Sequence, residues 1–154
     1  MESNIPAKRV ADSEVEQVQA IMPNHLNGAG RVFGGQLAAW IDVVGGIVAR
    51  RHSNRNVTTA AIDNLQFKEA VYANSTVVLH GKITYVGRTS MEVRVDSFVE
   101  SLSGERKLVN TAYLVEVALD DQGNPTAVPG LILENLQDRA EWEAGEKRRE
   151  LRHQ

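Results

Sequence analysis

The longest apolar stretch of the chain lies between residues 33 and 49. Its apolar side chains recur at helical spacing, which predicts a helix over Phe33 to Arg51. A helix that is apolar on nearly every face is a buried helix, and this one is too short to cross a membrane, which takes about 20 apolar residues. The helical positions are Leu37, Ile41, Val44 and Val48 in one stripe and Trp40, Val43 and Ile47 in a second.

Turn-forming residues flank this helix. The segment from Pro23 to Val32 is rich in Asn and Gly and is interpreted as a loop, and Ser53 to Asn56 is expected to end the helix. Earlier in the chain, Glu14 to Met22 alternates apolar and polar residues and predicts a first strand. Residues 1–12 are expected to form a loose lead-in.

From residue 57 onward the pattern is typical of strands. The segments are rich in β-branched residues or alternate in polarity, and polar turns separate the last three, which indicates an antiparallel meander. The predicted strands are Val57 to Phe67, Thr76 to Val86, Met91 to Glu100 and Leu108 to Leu119.

One long apolar helix followed by a meander favours an α+β fold, with an antiparallel sheet of about five strands wrapped around the helix. Such a sheet covers one side of the helix, so we expect a second copy to cover the other. Residues 1–130 are assigned to this domain. Residues 131–154 are interpreted as a charged C-terminal helical tail.

Two interpretations of the tail remain open. It is a solvated helix held by pairs such as Glu143 with Lys147, or its basic cluster contacts a phosphate or a neighbouring subunit. The cluster consists of Lys147, Arg148, Arg149 and Arg152.

Composition narrows the class of protein. The 154 residues suffice for one domain with a core, and 42% hydrophobic residues are ordinary for a globular chain. A net charge of −3 gives no indication of a nucleic-acid or anionic membrane partner. The absence of cysteine excludes disulfides, zinc–thiolate sites and a cysteine nucleophile. The first residues lack the apolar core of a signal peptide, so a cytoplasmic protein is expected.

Asp42 interrupts the apolar helix, and an unpaired charge in apolar surroundings costs several kcal/mol. Asp42 is therefore either catalytic or paired with an Arg or Lys. At the helix start, Gly34 and Gly35 offer free N–H groups suited to an oxyanion, and the amide of Asn27 lies just before them. Because Asp42 lies about 12 Å further along the helix, a two-fold dimer is expected to bring Asp42 of one copy to the loop of the other.

Small residues share the stripe of Asp42 and are expected to admit another backbone or a slender ligand. They are Ala38, Gly45, Gly46 and Ala49.

The histidines are weaker candidates. His25 is interpreted as a loop hydrogen-bond partner, with a catalytic base as the alternative. His52 is at the helix C-terminus, where a charged side chain is favourable, and His80 is expected to be structural. No nucleophile elbow, zinc-protease motif, P-loop or cluster of metal ligands is present in the sequence, so no cofactor is expected.

The spacing N-x-x-G-x-x-F-G-G-x(6)-D from Asn27 to Asp42 resembles the motif of hotdog-fold acyl-CoA thioesterases. The resemblance is to the short bacterial acyl-CoA hydrolases and the tandem-domain cytosolic long-chain hydrolases of animals. Further matching pieces lie at residues 49–52, 59–67 and 86–91 and in the turn that begins at Asp120.

This resemblance implies a hotdog fold and hydrolysis of a fatty acyl-CoA to free acid and CoA. It also implies a homodimer as the smallest active unit, often within a homohexamer, and Asn27 and Asp42 as a catalytic pair from opposite subunits. Asp42 would act as general base or nucleophile, the Gly35 and Gly34 amides would hold the oxyanion, and Asn27 would orient the water or the carbonyl. Candidates for binding CoA, which is part of the substrate, are Thr58, Thr59, Arg55, Gly87, Arg88, Thr89 and Ser90.

Two other activities fit a hotdog fold. A hydratase or dehydratase would require a histidine paired with the acid in the helix or its lead-in. A non-enzymatic acyl-CoA sensor would require a DNA-binding domain, for which the sequence offers no pattern.

Overall fold

Two helices and an antiparallel sheet carry the fold over residues 5–153, the part of the chain that the computed structural model describes. The elements are β1 (Lys8–Arg9), β2 (Val15–Ala20), α1 (Gly34–Ser53), β3 (Asn56–Asp63), β4 (Thr76–Val86), β5 (Ser90–Glu100), β6 (Arg106–Leu119), β7 (Leu131–Ile132) and α2 (Leu136–Arg152).

The main sheet has five strands in the order β2-β4-β5-β6-β3, and all neighbours are antiparallel. The predicted meander is confirmed as β4, β5 and β6, and the predicted first strand is confirmed as β2. The strand expected over Val57 to Phe67 is shorter, because Asn64 adopts a left-handed backbone with φ of 67° and ends β3 at Asp63.

The core lies between α1 and the concave face of this sheet. Ile41, Val44 and Val48 of α1 have no exposed surface, and they pack in one cluster with sheet residues such as Leu79 and Val93. Burial of this kind stabilises by about 1.5–3 kcal/mol for each large aliphatic side chain. The result is the hotdog arrangement that the sequence predicted.

The helix is nevertheless not buried on every side, which corrects the sequence interpretation. Val43 is 50% exposed and Phe33, just before the helix, is 41% exposed. These side chains lie on the face of α1 that the sheet does not cover, which leaves an apolar strip at the surface of a single chain.

Gly45 corrects a second expectation. A Cβ on Gly45 would lie 2.7 Å from Cδ2 of Leu114 in β6. The glycine therefore allows α1 to approach its own sheet closely, rather than leaving space for another backbone or a ligand. Gly46 is different, since a Cβ there would meet Glu116 Oε1 at an ordinary 3.7 Å.

The C-terminal helix packs on the opposite face of the sheet, and the arginines of its basic cluster have partners within the chain, which corrects the interpretation of a solvated helix. Arg148 makes a bidentate ion pair with the buried carboxylate of Glu92, at 2.8 and 2.9 Å. Arg152 pairs with Asp63 at 3.1 Å, and the Arg149 guanidinium lies over the Tyr85 ring at 5.9 Å from its centroid. These arginines hold α2 against its own chain.

The two ends of the chain also meet. Lys8–Arg9 pairs in parallel with Leu131–Ile132, and the Lys8 N–H donates to the Gly130 carbonyl at 3.0 Å. The lead-in is thus ordered from β1 onward, contrary to the expectation of a loose segment. Residues 1–4 and Gln154 lie outside the described residues.

The histidines take structural positions. His25 Nδ1 accepts the Met22 N–H at 2.9 Å, which confirms a loop hydrogen-bond partner. His52 is fully buried with Nε2 2.8 Å from the Pro129 carbonyl oxygen, and burial lowers its pKa. Burial therefore opposes the positive charge that a position at the helix C-terminus would favour.

Within the described residues, neither helix is long and apolar enough to cross a membrane.

Candidate active site

The loop before α1 fixes the orientation of the Asn27 amide. Its Oδ1 accepts the backbone N–H groups of Ala29 at 2.9 Å and Arg31 at 3.2 Å. Because the oxygen is occupied by the loop, the Nδ2 group is the part of this side chain that remains to donate hydrogen bonds. Asn27 is therefore a donor at this site.

The start of α1 supplies further donors. The Phe33 carbonyl accepts the N–H groups of Gln36 at 3.0 Å and Leu37 at 3.4 Å, so the first intrahelical bonds begin beyond the glycine pair. The N–H groups of Gly34 and Gly35 are among those that a helix leaves unpaired at its N-terminus. No heavy atom of the described residues lies within 4 Å of a Cβ built on Gly34, so its backbone is open to a ligand.

Two of these donor residues, Asn27 and Gly34, border one cleft of about 340 Å³, and Gly35 follows Gly34 in the first turn of α1. Asn27 and Gly34 line it on the loop side, while Phe67 and Val71 close the other side. Arg31 and Glu69 also line this cleft, so its walls are mixed in polarity. N–H groups at the start of a helix can stabilise a carbonyl oxygen as negative charge develops on it.

A second constellation lies further along α1, where Asp42 faces β3 and β6. The Thr59 hydroxyl is 2.8 Å from Asp42 Oδ1 and 2.9 Å from Glu116 Oε1. Thr59 and Glu116 are direct cross-strand partners, and the register of β3 shifts immediately after Thr59. Such irregularities re-aim side chains and are common beside active sites.

Glu116 was not predicted from the sequence. It has no exposed surface, and burial raises its pKa to about 7, with Thr59 lowering it and Asp42 raising it further. The sequence did contain a signal, because Ala112, Leu114 and Ala118 occupy alternate positions of the same strand. Glu116 occupies the same inward-facing side of the strand, so a carboxyl group stands among apolar side chains.

The structure keeps the two constellations apart within one chain. Asp42 is not among the residues that line the cleft of Asn27 and Gly34. Its neighbours are the side chains of Thr59 and Glu116, and no lysine or arginine in the described chain forms an ion pair with it. The alternative of a structurally paired carboxylate therefore has no partner to support it.

Two CoA-binding candidates lie one residue along the strands from the carboxyl cluster, where side chains point to the opposite face of the sheet. Thr58 and Ser90 both pair with Val117, in the cross-strand row next to the one that contains Thr59 and Glu116. In the same turn, a Cβ on Gly87 would meet Ser90 Oγ at 2.9 Å, and the Thr89 carbonyl accepts the Ala118 N–H at 3.0 Å.

The two arginines proposed for CoA phosphates are in different places. Arg55 borders an open cleft of about 580 Å³ beyond the C-terminal end of α1, together with Arg50 and Arg51. Arg88 is exposed in the turn before β5, where its carbonyl accepts the Val128 N–H at 2.9 Å. Among residues 5–153 no group of three or more His, Asp or Glu side chains is placed to hold a metal ion.

Comparisons with known proteins show the family to which the chain belongs. The family model described as "Thioesterase superfamily" matches residues 29–103. An uncharacterised acyl-CoA thioester hydrolase of Bacillus subtilis (strain 168) is 35% identical over 148 residues, covering 92% of this chain and 86% of that protein. The cytosolic acyl coenzyme A thioester hydrolase of Rattus norvegicus is 29% identical over 90% of this chain, which spans only 37% of the rat protein.

Solved structures give the same result. An apo-hexameric acyl-CoA thioesterase superposes with a TM-score of 0.89 at 33% identity, covering 97% of this chain and 96% of that one. An acyl-CoA hydrolase from Staphylococcus aureus, solved in complex with butyryl coenzyme A, coenzyme A and coenzyme A disulfide, superposes with a TM-score of 0.87 at 29% identity, covering 96% and 91%. The sequence identity with the Bacillus subtilis relative over most of both chains, together with the shared fold, identifies this chain as a member of the thioesterase superfamily.

Proposed function

We propose that the protein hydrolyses acyl-CoA thioesters to a free acid and CoA, with each active site built from two copies of the chain. The observation that carries this proposal is the separation of the two constellations. One chain places hydrogen-bond donors beside a cleft at the start of α1 and a carboxylate elsewhere on the same helix. Thioester hydrolysis needs both at one carbonyl.

The thioester carbonyl binds at the start of α1. The Gly35 N–H, with that of Gly34, donates to the oxygen as it becomes an oxyanion, and Asn27 Nδ2 donates to the same oxygen or to the attacking water. Removal of one such donor typically slows turnover by about 10²–10³-fold. Asn27 contributes as a donor because its oxygen is held by Ala29 and Arg31.

Asp42 of the other copy supplies the base. Its carboxylate takes a proton from a water that attacks the thioester carbon, or attacks that carbon directly as a nucleophile. The tetrahedral adduct then expels the CoA thiolate, which takes up a proton and leaves as the thiol. In the base-catalysed route this step yields the free acid, whereas in the nucleophilic route a water must then hydrolyse the acyl–Asp42 anhydride to release the acid. His25 Nδ1 accepts a hydrogen bond within the loop and is therefore not free to act as a base, which argues against a hydratase that depends on this nitrogen.

The surface of the chain supports a two-fold dimer. β3 is an edge strand, bonded to β6 on one side alone, and an unpaired edge is a template for another strand. The exposed apolar strip of Val43 and Phe33 lies on the uncovered face of α1. Pairing of two β3 edges would set two α1 helices side by side and cover this strip. Three such dimers would form the hexamer that one similar structure shows.

The CoA portion leaves the carbonyl along the strand edges. Pantetheine passes Thr58, Thr59 and the turn formed by Gly87, Arg88, Thr89 and Ser90, whose cross-strand row adjoins the carboxyl cluster. Arg55 lies in a cleft with two further arginines, and guanidinium groups suit phosphate geometry.

The direct test measures release of free thiol from a panel of acyl-CoAs of different chain length. The wild-type protein is expected to hydrolyse at least one of them, and Asp42→Ala is expected to reduce kcat by at least about 10³-fold, as for loss of a base or nucleophile. The matched control is Glu105→Ala, which removes a carboxylate from an exposed turn. A wild-type protein that releases thiol from none of the substrates would refute the proposal, and full activity in Asp42→Ala would refute the role of Asp42.

A further inference from the structure

The side chains of Asp42, Thr59 and Glu116 are connected by hydrogen bonds, and of these three the mechanism above assigns a catalytic role to Asp42 alone. Thr59 Oγ1 stands between two carboxyl groups, 2.8 Å from Asp42 Oδ1 and 2.9 Å from Glu116 Oε1. Both distances are ordinary for O–H···O hydrogen bonds. Glu116 is fully buried and does not border the carbonyl cleft.

A count of protons constrains this arrangement. A threonine hydroxyl carries one hydrogen and can donate to one acceptor only, while its oxygen accepts from others. If both carboxyl groups were ionised, both could only accept, and one short O···O contact would have no proton in it. Both contacts are hydrogen bonds only if one carboxyl group is protonated and donates to the hydroxyl.

The surroundings identify Glu116 as the protonated group. Its Oε2 is buried and has no hydrogen-bond partner among residues 5–153, which is far more costly for a carboxylate oxygen than for the carbonyl oxygen of a neutral acid. Asp42 is partly exposed, so solvent can stabilise its negative charge. Burial also raises the pKa of Glu116 to about 7.

The geometry points to Glu116 as a positioning residue for thioester hydrolysis, which in its neutral form donates to the Thr59 hydroxyl and so directs that hydroxyl's hydrogen to Asp42 Oδ1. This inference rests on the proposed function. The hydrogen bond holds the Asp42 carboxylate in one orientation and leaves Oδ2 for the water or the thioester carbon. Glu116 itself touches no reacting atom.

Ionisation of Glu116 would undo the arrangement. The hydroxyl would then be shared between two anions, and a second negative charge would lie near the forming oxyanion. Among the described elements packed against Glu116, the one charged neighbour is Asp42 of α1. The other neighbours are uncharged: Gly46 of α1, Thr59 of β3 and Met91, the cross-strand partner on β5. Asp42 is the charged group that acts on the pKa of Glu116.

The test compares pH profiles of kcat/KM for the wild type, Glu116→Gln and Glu116→Ala. The wild type is expected to lose about tenfold between about pH 6.5 and pH 8.5, with an apparent pKa near that of Glu116. Glutamine keeps the shape and an N–H donor, so Glu116→Gln should retain most of the activity near pH 6.5 and lack the alkaline fall. Glu116→Ala should be at least about tenfold less active than the wild type near pH 6.5 and should show no alkaline fall of its own. The control Glu105→Gln should keep the wild-type profile.

Infrared spectroscopy measures the protonation of Glu116 without relying on catalytic activity. The infrared difference spectrum of the wild type between acidic and alkaline pH should contain a protonated carboxyl band that disappears near pH 7 and is absent from Glu116→Gln. In a Thr59→Val background, the change from Glu116 to Gln should no longer alter kcat, because the connecting hydroxyl is gone.

Two results would overturn the inference: the same alkaline fall in Glu116→Gln as in the wild type, or full activity in Glu116→Ala. Both outcomes differ from failure of the proposed function, in which the wild type itself hydrolyses no acyl-CoA.

Discussion

Glu116 occupies an inward-facing position of β6 between Leu114 and Ala118, where a charged side chain would be costly. The same residue approaches Thr59 and, through it, Asp42. A buried acid in such a place keeps its proton below about pH 7, and that proton affects both the stability of the fold and the order of the site.

The stability effect has a definite sign. The pKa of Glu116 is raised from 4.5 to about 7 in the folded chain, so the folded state binds more protons than the unfolded state between these values. Its penalty is absent below about pH 4.5, grows as pH rises, and is complete above about pH 7, where it reaches about 3 kcal/mol.

Glu116→Gln should therefore stabilise the protein more at alkaline than at acidic pH. The free energy of unfolding of the variant minus that of the wild type is expected to rise by up to about 3 kcal/mol between about pH 5 and pH 8.5. Denaturant unfolding of both proteins at each pH measures this difference, because groups that do not contact Glu116 titrate alike in both. A difference that does not change with pH would contradict the buried, protonated state of Glu116.

Within the site, sequence reasoning found the residues that belong to a local motif. Asn27, Gly34, Gly35 and Asp42 have fixed spacings in one segment, so chemistry and spacing together indicated them. Glu116 is 57 residues from Thr59, and only the pairing of β3 with β6 brings the two together. Strand pairing is not encoded in the local pattern, which is why Glu116 was missed.

At the scale of elements, α1 and the meander were predictable because helical and strand periods are local properties of the sequence. The docking of α2 was not predictable, because a helix rich in basic residues is expected to be solvent-exposed until the partners of those residues are known. Arg148 and Glu92 are 56 residues apart in sequence and form the bidentate pair that holds the helix.

The close approach of α2 depends on Gly145. A Cβ there would lie 2.8 Å from Tyr85 Cβ and 2.9 Å from Glu92 Oε1. In a free helix Gly→Ala stabilises by about 1 kcal/mol, but Gly145→Ala should destabilise this protein by about 1–3 kcal/mol because the sheet leaves no space.

Thermal unfolding of Gly145→Ala, together with amide hydrogen exchange of residues 136–152, tests this prediction. The matched control is Ala144→Gly, the neighbouring helix position, which should destabilise by helix propensity alone, about 1 kcal/mol. A stabilised Gly145→Ala protein would contradict the tight packing of α2 on the sheet.

At the scale of the whole molecule, one chain contains two incomplete half-sites. The donors of Asn27 and Gly35 lie at one end of α1, and the group of Asp42, Thr59 and Glu116 lies further along it. The edge strand β3 and the exposed Val43 are where a second copy would join. On this account, a monomer binds a thioester carbonyl without a base to attack it.

Mixing of inactive variants tests this account most directly. Asn27→Ala and Asp42→Ala proteins, each inactive alone, are mixed in equal amounts under conditions of proven subunit exchange. Half of the dimers are then mixed, and each holds one intact site, so thiol release should recover to about one quarter of the wild-type rate.

A second mixture completes the measurement. Wild type mixed equally with the Asn27→Ala, Asp42→Ala double variant should also give about one quarter of the wild-type rate, because mixed dimers then contain no intact site. If each chain held a complete site, the first mixture would stay inactive and the second would retain about one half. That pair of results would contradict an active site shared between two copies.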